Sequence, residues 1–170
     1  IVWNYLLHTV TEPIQAEQEN KFVHVKATNG NGVSDAYLLG SGRLSTEVTD
    51  TFFVKPVSWL RMDDKGKFEE YPNHWHFTAN SEKSAVYRFA TIIDTHDKSR
   101  KAIRPAFMGK DTIKVGDWTI RLNIGSTGSP MFEVSDKSGK ARISYQGKET
   151  IISENGKQTL LTDVFPELEI

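Results

Sequence analysis

The chain contains no cysteine. That excludes a disulfide framework and a thiolate nucleophile but leaves the redox compartment open, since cytosolic and bacterial periplasmic proteins both use such compositions. It also lacks an apolar run of the roughly eighteen residues that a membrane helix needs, so no membrane insertion is expected. Charge of one sign is missing too: 21 basic residues stand against 22 acidic ones. Nucleic-acid binding needs a clustered basic face, and so balanced a chain predicts no nucleic-acid partner. No apolar stripe at helical spacing lasts three turns, which leaves room only for a short helix near Val57 to Arg61. No secretory signal is legible, and a fragment would have lost one.

What is present is aromatic residues and alternation. Four Trp, five Tyr and nine Phe are a supply suited to β cores. The opening stretch Trp3 to Val10 sends Trp3, Tyr5 and Leu7 to one face and Asn4, Leu6 and His8 to the other. Large apolar groups on both faces predict a central strand covered on two sides, closed by Thr11-Glu12-Pro13 because proline cannot donate to a ladder. A chain opening inside such a strand is expected to be a piece of a larger protein, with an open edge suited to a homodimer. Lys21 to Thr28 alternates Phe22, His24 and Lys26 against Val23, Val25 and Ala27, and Asn29-Gly30-Asn31-Gly32 is the strongest turn signal. Ser34 to Leu39, Leu44 to Val48, Phe52 to Val54, Trp59 to Met62 and His74 to Thr78 read as further strands, and Ser84 to Asp94 as the longest.

From Thr112 onward six short strands are separated by Gly116-Asp117, Ser126 to Ser129, Asp136 to Gly139, Gln146-Gly147 and Glu154-Asn155-Gly156. Turn signals roughly every eight to twelve residues are the mark of a sandwich or barrel. The expectation is an all-β, antiparallel β-sandwich (supersandwich-like) of about 10–13 short strands with little helix, a single domain over residues 1–170.

Chemistry is less legible. His74 and His76, two apart on a strand, face one side, which is either a metal-ligand spacing wanting a third ligand or a solvent face flanking Trp75 and Phe77. His8 reads as a hydrogen-bonded core residue, and His24 and His96 as surface and turn residues. Asp63-Asp64, Glu69-Glu70 and Asp94 with Asp97 are carboxylate pairs, but without the regular acidic spacing of a calcium loop. The spacing supports neither zinc nor calcium, and no cofactor is expected from the residues. Gly125 to Pro130 lacks the lysine and the following helix of a phosphate loop. Trp59, Tyr71, Trp75 and Trp118 are either core aromatics or rings on which sugars could stack, with His74 and His76 beside them.

The opening Trp3-Asn4-Tyr5-Leu6-Leu7-His8-Thr9 with Glu12-Pro13 resembles a segment of heparinase II/III-like polysaccharide lyases, in the β-sandwich that follows their helical toroid. Phe53-Val54-Lys55-Pro56, the His-Trp-His-Phe strand at 74–77 and Tyr87 to Ile93 follow in similar order, so the resemblance covers about the first hundred residues. It implies a β-sandwich that supports an upstream catalytic part and contacts a polysaccharide or oligosaccharide, in the periplasm or outside the cell. The family's β-elimination uses a Tyr and His residues from the toroid and from a segment upstream, so no catalytic residue is carried over. Some relatives hold a structural zinc, for which the resemblance offers His8 as one ligand with partners before Ile1. Two readings stand beside this one: an independent carbohydrate-binding module, and a small glycan-active enzyme using His74 and His76.

Overall fold

The computed structural model describes residues 2, 4–9, 12–19, 21–51, 57–70, 74–125, 127–146 and 149–162, with the backbone alone for Ser58, Trp59 and Thr162. The chain is all-β, with sixteen strands and no helix among the described residues. It divides into two compact units, Ile1–Ala102 and Ile103–Ile170.

The first unit holds β1 (Asn4–Thr9), β2 (Gln15–Gln18), β3 (Val23–Asn29), β4 (Gly32–Gly40), β5 (Leu44–Thr49), β6 (Val57–Met62), β7 (Phe68–Glu70), β8 (Trp75–Ser81) and β9 (Phe89–Asp97). They form an antiparallel sheet in the order β2-β3-β4-β9, a second in the order β1-β8-β5, and the separate hairpin β6-β7. The larger sheet starts from a tight turn. Gly30 and Asn31 bridge paired Asn29 and Gly32, and Gly30 takes a φ of 59°, open to glycine at little cost. That turn sets the register of the whole β3–β4 ladder, pairing Val25 with Ala36 and Lys26 with Asp35.

Period-two alternation then divides the residues. Val23 and Val25 from β3 and Ala36 and Leu38 from β4 point inward onto Phe77 and Ala79 of β8, with Ile14 and Leu44 closing the cluster. Tyr5, Leu7, Val48 and Trp75 pack around it from the facing sheet. These two sheets are the layers of a β-sandwich, and Phe77 at its centre has no exposed surface. Tyr87 ties the rim: its hydroxyl donates to the Gly42 carbonyl at 2.6 Å. A Cβ on Gly40 would lie 2.2 Å from that hydroxyl, which is why the strand ends on glycine.

The second unit is a seven-stranded antiparallel meander: β10 (Ala106–Phe107), β11 (Thr112–Val115), β12 (Trp118–Asn123), β13 (Met131–Asp136), β14 (Ala141–Gln146), β15 (Glu149–Glu154) and β16 (Lys157–Thr162). Its last hairpin has Asn155 and Gly156 at φ 48° and 83° between paired Glu154 and Lys157, the two positive values of a type I′ turn. One sheet face brings Ile120, Val134, Ile143 and Ile152 into register across four strands.

Several expectations need correction. Sixteen strands replace 10–13, because short pairings at the sheet ends and a separate hairpin add to the long ladders. Val57 to Arg61 is strand, not helix: Asp63 accepts the N–H groups of Lys65 and Lys67 and folds the segment back onto β7. β1 is an edge strand rather than a central one, since among the described residues it pairs only with β8, and Leu6 is 60% exposed. The long strand runs from Phe89 to Asp97, because Ser41 and Gly42 engage Arg88 and Tyr87 and hold the preceding residues out of the ladder. Phe52 to Pro56 and Tyr71 to Asn73 lie outside the described residues.

Phe77→Ala removes the central ring of the sandwich and should cost about 3–5 kcal/mol. Urea unfolding followed by tryptophan fluorescence checks this; an unchanged midpoint would mean that the core lies elsewhere.

Candidate functional site

The face of β3, β4 and β9 turned away from the core carries an unusual polar set. Asp35, 3% exposed, stands at its centre on β4. His24 from β3 approaches one carboxylate oxygen, Nε2 to Oδ1 at 2.6 Å, and His96 from β9 the other, Nε2 to Oδ2 at 2.8 Å. Both are diagonal neighbours of Asp35, whose direct partners are Lys26 and Asp94. The His24 ring stacks on Tyr37, centroids 4.7 Å apart and planes 7° from parallel, and Phe22 meets Tyr37 edge-on at 5.3 Å. An acid this deep needs partners for its lone pairs, and the two imidazoles supply them.

The hydrogen-bond pattern assigns protons. A carboxylate only accepts, so both Nε2 atoms donate to Asp35. The Nδ1 of His96 faces the Asp97 carbonyl at 2.8 Å, another acceptor, so this ring donates from both nitrogens as an imidazolium does. The Asp97 carbonyl and the Asp35 carboxylate accordingly hold its pKa above the usual histidine range against the effect of burial. The side chain of His96 is 5% exposed and that of His24 20%. Two imidazole nitrogens and a carboxylate are donors of the kind that zinc takes. Here they meet as hydrogen bonds on opposite oxygens, and among the described residues no three such groups already stand at metal-ligand geometry.

A cleft of about 740 Å³ opens beside this set, with Asp35, His24 and His96 in its lining. Lys26, Lys98, Arg100 and Lys101 line it as well, against Glu12. Arg100 grips Asp94 through two bonds, 2.6 and 3.1 Å, and Lys98 reaches Glu12 at 3.3 Å. Asp97 caps the turn through the Ser99 hydroxyl and the Ser99 and Arg100 N–H groups, which lowers its pKa. The Asp94 and Asp97 carboxylates thus both bond within this turn and its flank.

The residues singled out from the sequence lie elsewhere. His8 and His76 are cross-strand partners on the outer face of the smaller sheet, ring centroids 4.5 Å apart. His8 is exposed there, not a core residue, because the edge position of β1 leaves its outer face open. Burial first, then the charges of His8 and His74, hold the His76 pKa below the usual range. Trp75 packs against the core, whereas Trp118 on β12 is 46% exposed. The side chain of Trp59 and all of Tyr71 lie outside the described residues. His24 and His96, read as surface and turn residues, are instead the two arms of the buried set. The β3–β4 turn already places His24 diagonal to Asp35, a signal available from the sequence, but His96 comes from 61 residues away.

The depressed pKa of His76 has a stability consequence. The folded state favours its neutral form, so stability is complete above the unfolded value of about 6.5 and declines as pH falls below it toward the lower folded value. His76→Gln should therefore gain stability relative to wild type on going from pH 7.5 to pH 5. Urea midpoints of both proteins at the two pH values test this; a constant difference would remove the coupling.

No known protein family matches the chain, and no curated protein matches it.

Proposed function

We propose that the chain is a noncatalytic β-sandwich portion of a heparinase II/III-like polysaccharide lyase, acting in the periplasm or outside the cell, where it supports the catalytic part and contacts glycan. The family part of this reading rests on the sequence resemblance; its noncatalytic part is supported by the His24–Asp35–His96 set, which ties three strands of the larger sheet together on its outer face. Each Nε2 is already committed to Asp35, the arrangement of a structural clamp rather than of a general base awaiting a substrate. The edge of β1 that has no partner strand among the described residues is where the upstream part or a second copy of the chain would add a strand.

A thermal melt tests the clamp. Asp35→Asn and His96→Gln should each lower the unfolding midpoint by several degrees, because each leaves a buried partner unpaired. Incubation with acidic polysaccharides should produce no ultraviolet absorbance from unsaturated ends. Variants that melt with the wild type would remove the clamp, and growing absorbance would show that the chain is catalytic.

A further inference from the structure

Among the described residues, all the strands of the second unit lie in one antiparallel sheet, and its two faces differ in kind. Beside the row of Ile120, Val134, Ile143 and Ile152 runs a second on the same face, in which Leu122, Phe132 and Tyr145 lead to Thr150 and Leu161. Neither row holds a charged residue. The opposite face carries Arg121 and Arg142, both paired to the Glu133 carboxylate between them, and suits water. On the apolar face Trp118, Phe132, Ile143, Ile152 and Leu161 are between 37% and 49% exposed. A sheet face of this composition is normally buried against a second layer, and a large contiguous apolar patch marks an interaction surface.

We propose that this face is a homodimer interface, covered by the same face of a second copy across a twofold axis. A twofold contact sets a surface against itself, so a patch carrying like charges would repel its own copy, and two uncharged rows do not. Asp136, Glu154 and Lys157 stand in the row of Trp118, at one end of the strands, where charges form a rim open to water. The size is sufficient as well. β12 to β16 have six residues each, and at about 4.8 Å between strands and about 3.4 Å per residue they make a face of roughly 500 Å² in plan. Two copies together would bury about 1,000 Å², the size from which specific interfaces become stable. The product is a β-sandwich with one layer from each copy, the strands of the two layers within about 30° of each other. The contact is made by side chains of the second unit and is independent of the family reading.

Sedimentation equilibrium of the full chain, from micromolar loading upward, is the test. The mass should rise with concentration from that of one chain to that of two. Phe132→Lys combined with Ile143→Lys sets ammonium groups on both sides of the contact and should raise the dissociation constant at least about a hundredfold. Ser144→Lys places the same charge on the opposite face, where Ser144 pairs with Glu133, and should leave the constant unchanged. A readout on wild-type protein does not depend on how the variants fold: the methyl signals of Ile143, Ile152 and Leu161 should be shielded from a soluble paramagnetic agent in concentrated solution and lose that shielding on dilution. The mass of a single chain at every concentration would overturn the proposal. So would a dimer that survives the lysines on the apolar face, or shielding confined to Leu6 on β1 or to Leu160 on the charged face.

Discussion

Antiparallel pairing forces each strand to send successive side chains in opposite directions, and the first unit depends on that constraint at β4. Ala36 and Leu38 enter the core, while Asp35 and Tyr37, which alternate with them, emerge on the far side. A slip of one residue would exchange the two sets, placing a carboxylate against Phe77 and leaving leucine where the histidines converge. The apolar core and the polar set therefore enforce the same register from opposite faces. The turn at Gly30-Asn31 begins that register, and burial on one side with hydrogen bonding on the other maintains it.

Asp35 is costly to bury and has two partners that meet the cost through charge-assisted bonds. Their placement matters as much as their number. His24 lies on the strand before and His96 on the strand after, so the carboxylate spans the three-strand width of the ladder. Arg100 and Asp97 extend the network into the following turn, which carries the cations of the cleft. Scaffold and cleft are in this way built from one hydrogen-bonded group: the turn after β9 carries both Asp97 and the cations that line the cleft.

The smaller sheet illustrates the opposite arrangement. His8 and His76 stand side by side, and burial first, then the neighbouring imidazoles, opposes protonation of His76. The sequence singled out His74 and His76, yet burial and the charges of His8 and His74 lower the basicity of His76 on which acid–base work would draw. An acid between two imidazoles, less conspicuous in the sequence, produces the more ordered chemistry.

The sequence by itself determined the β class, most strand positions, the tight turns at Asn29 to Gly32 and Glu154 to Gly156, and which residues of β3 face the core. Those features are local: they follow from period-two alternation and from the positive φ that Gly and Asn tolerate. Even the diagonal approach of His24 to Asp35 was implicit, since a two-residue turn fixes its own ladder. The edge position of β1 and the arrival of His96 at Asp35 were decided by tertiary structure alone. Alternation specifies the faces of a strand but not its neighbours. The pairing of β4 with β9 closes a long loop, and it is the shared burial of two sheets, rather than any local preference, that selects it.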